Sequence, residues 1–146
     1  NIFGKFSSHK KGVINQFLKR ILNNQNLEIY GNENTSRDFL YAGDLVIGLL
    51  SLVELKHKTN FNIYHLSSGK EVLINDLAKL MLKILKKDLD ISFVKKRIGE
   101  VERNFSSYKK ANDVFGFSPS LSIEEGLSET CKWLLEKNNE VFVDIN

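Results

Sequence analysis

The chain has 146 residues, 42% hydrophobic and 27% charged, enough for one globular domain with its own core and too apolar for a disordered segment. No apolar run is long enough to cross a bilayer, and the first residues lack the pattern of a secretory leader. The net charge of +3 is spread over pairs such as Lys10-Lys11, Lys19-Arg20 and Lys109-Lys110, which argues against a nucleic-acid reader with clustered cations and interleaved aromatics. With one cysteine, Cys131, and no Cys/His cluster at zinc spacing, the expectation is a cytoplasmic protein without disulfide, metal, membrane or nucleic-acid partner.

Ile14, Phe17, Leu18, Ile21 and Leu22 have the three-and-four spacing of an amphipathic helix between Gly12 and Asn24, with Lys19 and Arg20 on its wet face. Leu27 to Tyr30 and Phe39 to Tyr41 are predicted strands, separated by Gly31 and the polar turn Asn32-Glu33-Asn34-Thr35. Asp44 is placed to cap a helix from Leu45 to Leu55 whose apolar residues run nearly all the way round, which predicts burial on most sides. Asn62 to Ser67 reads as a strand, and the Ser68-Gly69 turn leads to a helix carrying Leu77, Leu80, Met81, Ile84 and Leu85 on one face.

Ile91 to Val94 is a further predicted strand, and Tyr108, Ala111 and Phe115 mark a short helix closed by Gly116. Ser122-Ile123-Glu124-Glu125 is a capping box opening a helix with Leu127, Cys131, Leu134 and Leu135 on one face. Val141 to Ile145 reads as a short final strand. Cys131, Met81 and Trp133 are expected to pack, His65 to be a packed strand histidine, and His9 and His57 to be exposed. Strands alternating with helices, without repeats, make the fold class α/β.

Two segments bear on chemistry. Arg37 stands between a polar loop and an apolar strand, where its fork of donors can grip phosphate oxygens bidentately; the alternative is an ion pair with a carboxylate such as Asp38. Lys95-Lys96-Arg97-Ile98-Gly99-Glu100 follows a strand and offers further cations, a turn glycine and a carboxylate able to accept from hydroxyls. No G-x-G-x-x-G pattern is present, and the nine glycines stand singly, so nothing cradles a dinucleotide pyrophosphate.

Taken in order, the motifs Asn1-Ile2-Phe3-Gly4, Gly12-Val13-Ile14, Leu27 to Gly31, Arg37 to Tyr41 with Asp44-Leu45, Asn62 to Gly69, Arg97 to Glu100, Lys110 to Pro119 and Ser122 to Thr130 run nearly the length of the chain. Together they resemble the extended short-chain dehydrogenases/reductases, specifically the NAD-dependent nucleotide-sugar epimerases and dehydratases. The resemblance implies one C-terminal portion over 1–146: the last strands and helices of a Rossmann-type doubly wound sheet plus a small α/β substrate-binding lobe. The glycine-rich half that binds most of the NAD, and the catalytic tyrosine four residues before a lysine, would lie upstream.

By the same resemblance Asn1 and the backbone of Gly12 and Val13 would contact a substrate diphosphate, Tyr30 would lie against the base, Arg37 and Arg97 would clamp the phosphates and Glu100 would hold the ribose hydroxyls. None of the four tyrosines has a lysine four positions on, so no catalytic residue is assigned. The implied parent is a homodimeric UDP-sugar 4-epimerase working by transient C4 oxidation, ahead of a 4,6-dehydratase or a reductase, with the chain alone inactive. A non-catalytic binding or assembly module is the alternative from another class.

Overall fold

The computed structural model describes residues 1–55 and 61–143, the side chains of 137–143 excepted. Among the described residues, seven short strands and five helices are interspersed: β1 (Ile2–Phe3), α1 (Val13–Leu22), β2 (Leu27–Tyr30), β3 (Ser36–Arg37), β4 (Leu40–Tyr41), α2 (Ala42–Glu54), β5 (Val72–Leu73), α3 (Ile74–Leu85), β6 (Ile91–Val94), β7 (Arg103–Asn104), α4 (Lys109–Phe115) and α5 (Ile123–Val143). The strands form three small sheets. β1 pairs with β4 in parallel, β2 pairs with β6 in parallel, and β3 lies between an antiparallel β5 and a parallel β7.

The main core joins α1, α3 and α5 to β2. Ile14, Phe17, Leu18 and Ile21 bury one face of α1; Ile74, Leu77, Ala78, Met81 and Leu82 do so for α3; and Leu127, Cys131 and Leu134 for α5. Each large aliphatic side chain fully withdrawn from water, such as Leu77 or Leu127, contributes about 1.5–3 kcal/mol. α1 ends where Asn24 turns left-handed at φ 50°, a conformation asparagine tolerates, and Gln25 N–H donates to the Arg20 carbonyl at 2.8 Å. α5 opens with the reciprocal capping box read from the sequence: Glu125 N–H donates to Ser122 Oγ at 3.2 Å, and Ser122 N–H to Glu125 Oε2 at 2.8 Å. Gly116 closes α4 at φ 73°. A second core gathers Leu40, Ala111 and Phe117, with Leu45, Tyr64, Leu66, Tyr108 and Phe115 around them.

Several expectations need correction. α2 is not buried on most sides: Asp44 and Gly48 are its buried residues, while Val46, Ile47, Leu49, Leu50 and Val53 are 46% to 82% exposed. An all-round apolar pattern states how much a helix can bury, not what is present to cover it. Asp44 does not cap α2, which begins two residues earlier. Its carboxylate instead accepts from Ser120 N–H at 3.1 Å, Ser120 Oγ–H at 2.6 Å and Leu121 N–H at 3.4 Å, fixing the approach to α5.

Residues 61–71 form no strand among the described residues, and His65 is exposed rather than packed. Ser67 Oγ is held by the Ser106 carbonyl at 2.9 Å in place of a ladder. The patch expected as a last strand continues α5 as far as Val143; its remainder and His57 lie outside the described residues. Leu135, expected on the packed face of α5, is 40% exposed. His9 is exposed, Cys131 and Met81 are buried, and Trp133 packs against Phe6 with ring centroids 5.2 Å apart.

Gly48 is where α2 meets the second core. A Cβ there would stand 2.7 Å and 2.9 Å from two ring atoms of Phe117, itself 3% exposed. Alanine would gain about 1 kcal/mol of helix propensity, but overpacking a ring that cannot retreat costs about 1–3 kcal/mol. Gly48→Ala is therefore expected to lower the thermal midpoint rather than raise it, as read by circular dichroism.

Candidate functional site

One cleft of about 240 Å³ is lined by Asn1, Lys11, Gly12, Val13, Gln16, Phe17, Glu28, Ile29, Tyr30, Thr35, Arg37, Ile74, Arg97 and Glu100. The seven residues singled out in the sequence therefore face one space, although they come from five separate stretches of chain. β1 and β4 bring Asn1 beside the strand that follows Arg37, because Leu40 N–H donates to the Asn1 carbonyl at 2.8 Å. The pairing of β2 with β6 sets Tyr30 opposite Val94 and so delivers the 95–100 turn to the tyrosine. β7 then runs alongside β3, with Ser36 N–H donating to the Glu102 carbonyl and Asp38 N–H to the Asn104 carbonyl, both at 2.9 Å.

α1 opens at the cleft. Its N-cap, Gly12, offers no side chain, its first turn carries no acidic residue, and its first helical bond runs from Gln16 N–H to the Gly12 carbonyl. The N–H groups of Val13 to Asn15 thus precede the ladder, and such a helix start favours an anion. Gln16 Nε2 donates to the Lys11 carbonyl at 2.7 Å and holds that lysine's backbone against the helix.

Arg37 is mostly buried. Its Nη1 donates to the carbonyls of Ser36 at 2.7 Å and Glu102 at 3.0 Å, and its Nη2 faces Glu100 Oε1 at 3.6 Å. The ion pair weighed for Arg37 with Asp38 is not the one formed: the buried Asp38 carboxylate accepts from Ser68 N–H at 2.8 Å and Gly69 N–H at 3.0 Å. Among the described residues, Glu100 Oε2 is a buried oxygen with no hydrogen-bond partner. A buried acceptor left unmatched costs about 1–3 kcal/mol, which a ligand hydroxyl would recover. Arg97 lies over Tyr30, its guanidinium carbon 3.9 Å from the ring centroid. Asn1 Nδ2 donates to the Asp38 carbonyl at 3.1 Å, which uses one of its two hydrogens.

Lys11, Gln16 and Glu28 also line the cleft and were not singled out from the sequence. Lys11 was legible only as half of a basic pair, although it immediately precedes the Gly12 helix start. Glu28 is paired with Arg20 at 2.5 Å, a contact between a helix and a strand that spacing does not reveal. Beyond Asn1, Gly12 and Val13 lies a second hollow of about 100 Å³ lined also by Ile2, Phe3, Ser7, Lys10, Ile14, Asn15 and Phe39. Among the described residues no group of three His, Cys, Asp or Glu side chains is placed to hold a metal ion, and no helix is long and apolar enough to cross a membrane.

Comparison with known proteins bears on the family and the fold. Residues 1–64 match a family model described as the NAD dependent epimerase/dehydratase family. A Methanocaldococcus jannaschii protein with the provisional name UDP-glucose 4-epimerase is 31% identical over 141 residues, 95% of this chain and 44% of the relative. A UDP-glucuronic acid decarboxylase 1 from Danio rerio is 28% identical over 134 residues, 91% of this chain and 31% of the relative. The crystal structure of a Thermotoga maritima UDP-glucose 4-epimerase with UDP-glucose superposes with a TM-score of 0.86 at 26% identity, covering 94% of this chain and 44% of that one. The chain thus spans less than half the length of these proteins.

The sheet that carries Arg37 is braced from behind by Glu71, which receives both Nε and Nη2 of Arg103 at 2.6 Å and the hydroxyl of Ser36. These hydrogen bonds, Arg103 first, hold the Glu71 carboxyl down to about 2 from 4.5. A folded-state value below the unfolded one stabilises fully above pH 4.5, and that stabilisation is lost as pH falls from 4.5 toward 2. Glu71→Gln is expected to lower the thermal midpoint at pH 7, with the gap from the unsubstituted protein closing in melts taken stepwise toward pH 2.

Proposed function

Because the chain belongs to the NAD-dependent epimerase/dehydratase family, we propose that its cleft anchors the nucleoside diphosphate of a nucleotide sugar, a UDP-sugar by preference. The observation that carries this reading is convergence: Lys11, Arg37, Arg97 and the start of α1 all line one cleft. Cations and helix N–H groups around one small space are the chemistry a diphosphate requires. Glu100, with a buried unpaired oxygen, takes the ribose hydroxyls, and Asn1 uses its remaining Nδ2 hydrogen on a phosphate oxygen. Tyr30 lies on the base side. The sugar then points past Asn1, Gly12 and Val13 toward the second hollow.

These residues anchor and do not react. Holding the nucleotide at one end leaves the sugar free to be presented to a redox centre, so binding energy from the remote end is used for orientation. The NAD of the family name finds no glycine-rich cradle in this sequence, because the nine glycines stand singly and form no phosphate-binding loop. Hydride transfer is therefore assigned to no residue described above. A 4-epimerase acting through transient oxidation at C4 is our preferred whole-protein activity, supported by the names of two relatives, and the whole protein is proposed to be a homodimer. The decarboxylase relative keeps a second activity in view, and the two are separated by products, UDP-galactose from UDP-glucose against carbon dioxide from UDP-glucuronic acid.

The anchor itself is tested by calorimetry with UDP on the full-length protein. Removing charge-assisted bonds worth about 1.5–3 kcal/mol predicts that Arg37→Ala weakens UDP binding by about 10- to 100-fold, with the thermal midpoint followed in parallel. UDP binding that is absent in the unsubstituted protein, or unchanged in the variant, would sink the reading.

A further inference from the structure

Arg97 occupies the ring that the proposed reading reserves for the base. Its guanidinium carbon stands 3.9 Å from the Tyr30 centroid, within stacking contact, so a flat base and the guanidinium cannot share that face. Resting on the proposed nucleotide anchor, we infer that Arg97 is a specificity gate: parked on Tyr30 it closes the base face to uncharged nucleosides, and a ligand diphosphate opens it by drawing the guanidinium away.

The 95–100 turn is built for that movement. It is closed by Glu100 N–H to the Arg97 carbonyl at 3.3 Å, Gly99 takes φ 80° with open space around it, and Ile98 is wholly exposed. Swinging the Arg97 side chain therefore breaks little packing. The competing magnitudes decide the direction. Arg97 is exposed over a half-buried ring, and a cation at such a solvent-exposed site is worth about a two- to five-fold factor in an equilibrium constant, whereas a charge-assisted bond to a phosphate is worth about 10- to 100-fold.

A diphosphate outbids the ring; a neutral nucleoside brings nothing to replace it. The other charges facing the cleft do not free the ring by themselves, because Glu28 is held by Arg20 and Glu100 Oε1 faces Arg37. The gate thus separates ligands by charge at a position whose partner, Tyr30, reads no charge.

The test compares uridine with UDP on the full-length protein, using NMR titration for the nucleoside and calorimetry for the diphosphate. Arg97→Ala is expected to bind uridine about two- to five-fold more tightly than the unsubstituted protein while binding UDP about 10-fold more weakly, opposite signs that a loss of folding cannot produce. Uridine affinity that falls or stays unchanged in Arg97→Ala, including binding undetectable in both proteins, overturns the gate. Arg37→Ala run beside it keeps the two readings apart: UDP binding that survives Arg37→Ala removes the anchor itself, whereas UDP binding lost in Arg37→Ala without tighter uridine in Arg97→Ala removes the gate alone.

Discussion

Asp38 is 6% exposed, and its carboxylate accepts two backbone N–H groups, from Ser68 and Gly69, while its own carbonyl accepts from Asn1. One residue therefore ties the end of β3, the chain start beside β1 and the turn before β5. A buried carboxylate needs such partners, since leaving it unmatched would cost several kcal/mol. Its neighbours on either side divide the work: Arg37 faces the cleft, and Phe39 packs into the core with its ring 6.3 Å from that of Phe3. The short strands around it, two residues each in β1, β3, β4, β5 and β7, are too brief to hold themselves by ladder bonds alone. Side-chain ties such as Asp38 and the Glu71 brace complete them.

The cleft shows a consistent electrostatic arrangement. Arg37 is held from behind by two carbonyls through Nη1, which leaves Nη2 aimed forward, and a cation fixed in this way loses little entropy when it meets its anion. Glu28 and Glu100 bring negative charge into the same space, yet each is set against an arginine, so they shape the site without cancelling it. The proposed binding is then an exchange of partners more than a meeting of bare charges. Such an exchange favours ligands that match several partners at once.

What the sequence made legible depended on how local each signal was. α1, the Leu27 to Tyr30 strand and the Ser122 capping box are written within a turn or two, and the structure has them where spacing and cap chemistry put them. The seven cleft residues were picked by motif likeness; Arg37, and less strongly the turn carrying Arg97 and Glu100, were also suggested by physics, and the true neighbours of Arg37 could not be. Glu100, Glu102 and Glu71 reach it or its strand through contacts that span the chain. α2 failed for a related reason: Leu49, Leu50 and Val53 carry the composition of a buried helix, and burial is a property of neighbours. Asp44 looked like a cap because it precedes an apolar run, and only the fold reveals that Ser120 claims it.

The parallel pairing of β2 with β6 has a consequence for how the chain acquires its shape. Leu27 to Tyr30 must meet Ile91 to Val94 across a segment that contains α2 and α3, so loop-closure entropy is spent before any ladder bond repays it. Parallel partners that distant in sequence are slow to find each other. Tyr30 and Arg97 sit at the far end of that same pairing, so the two residues whose contact lines the cleft meet only once this long-range pairing has closed.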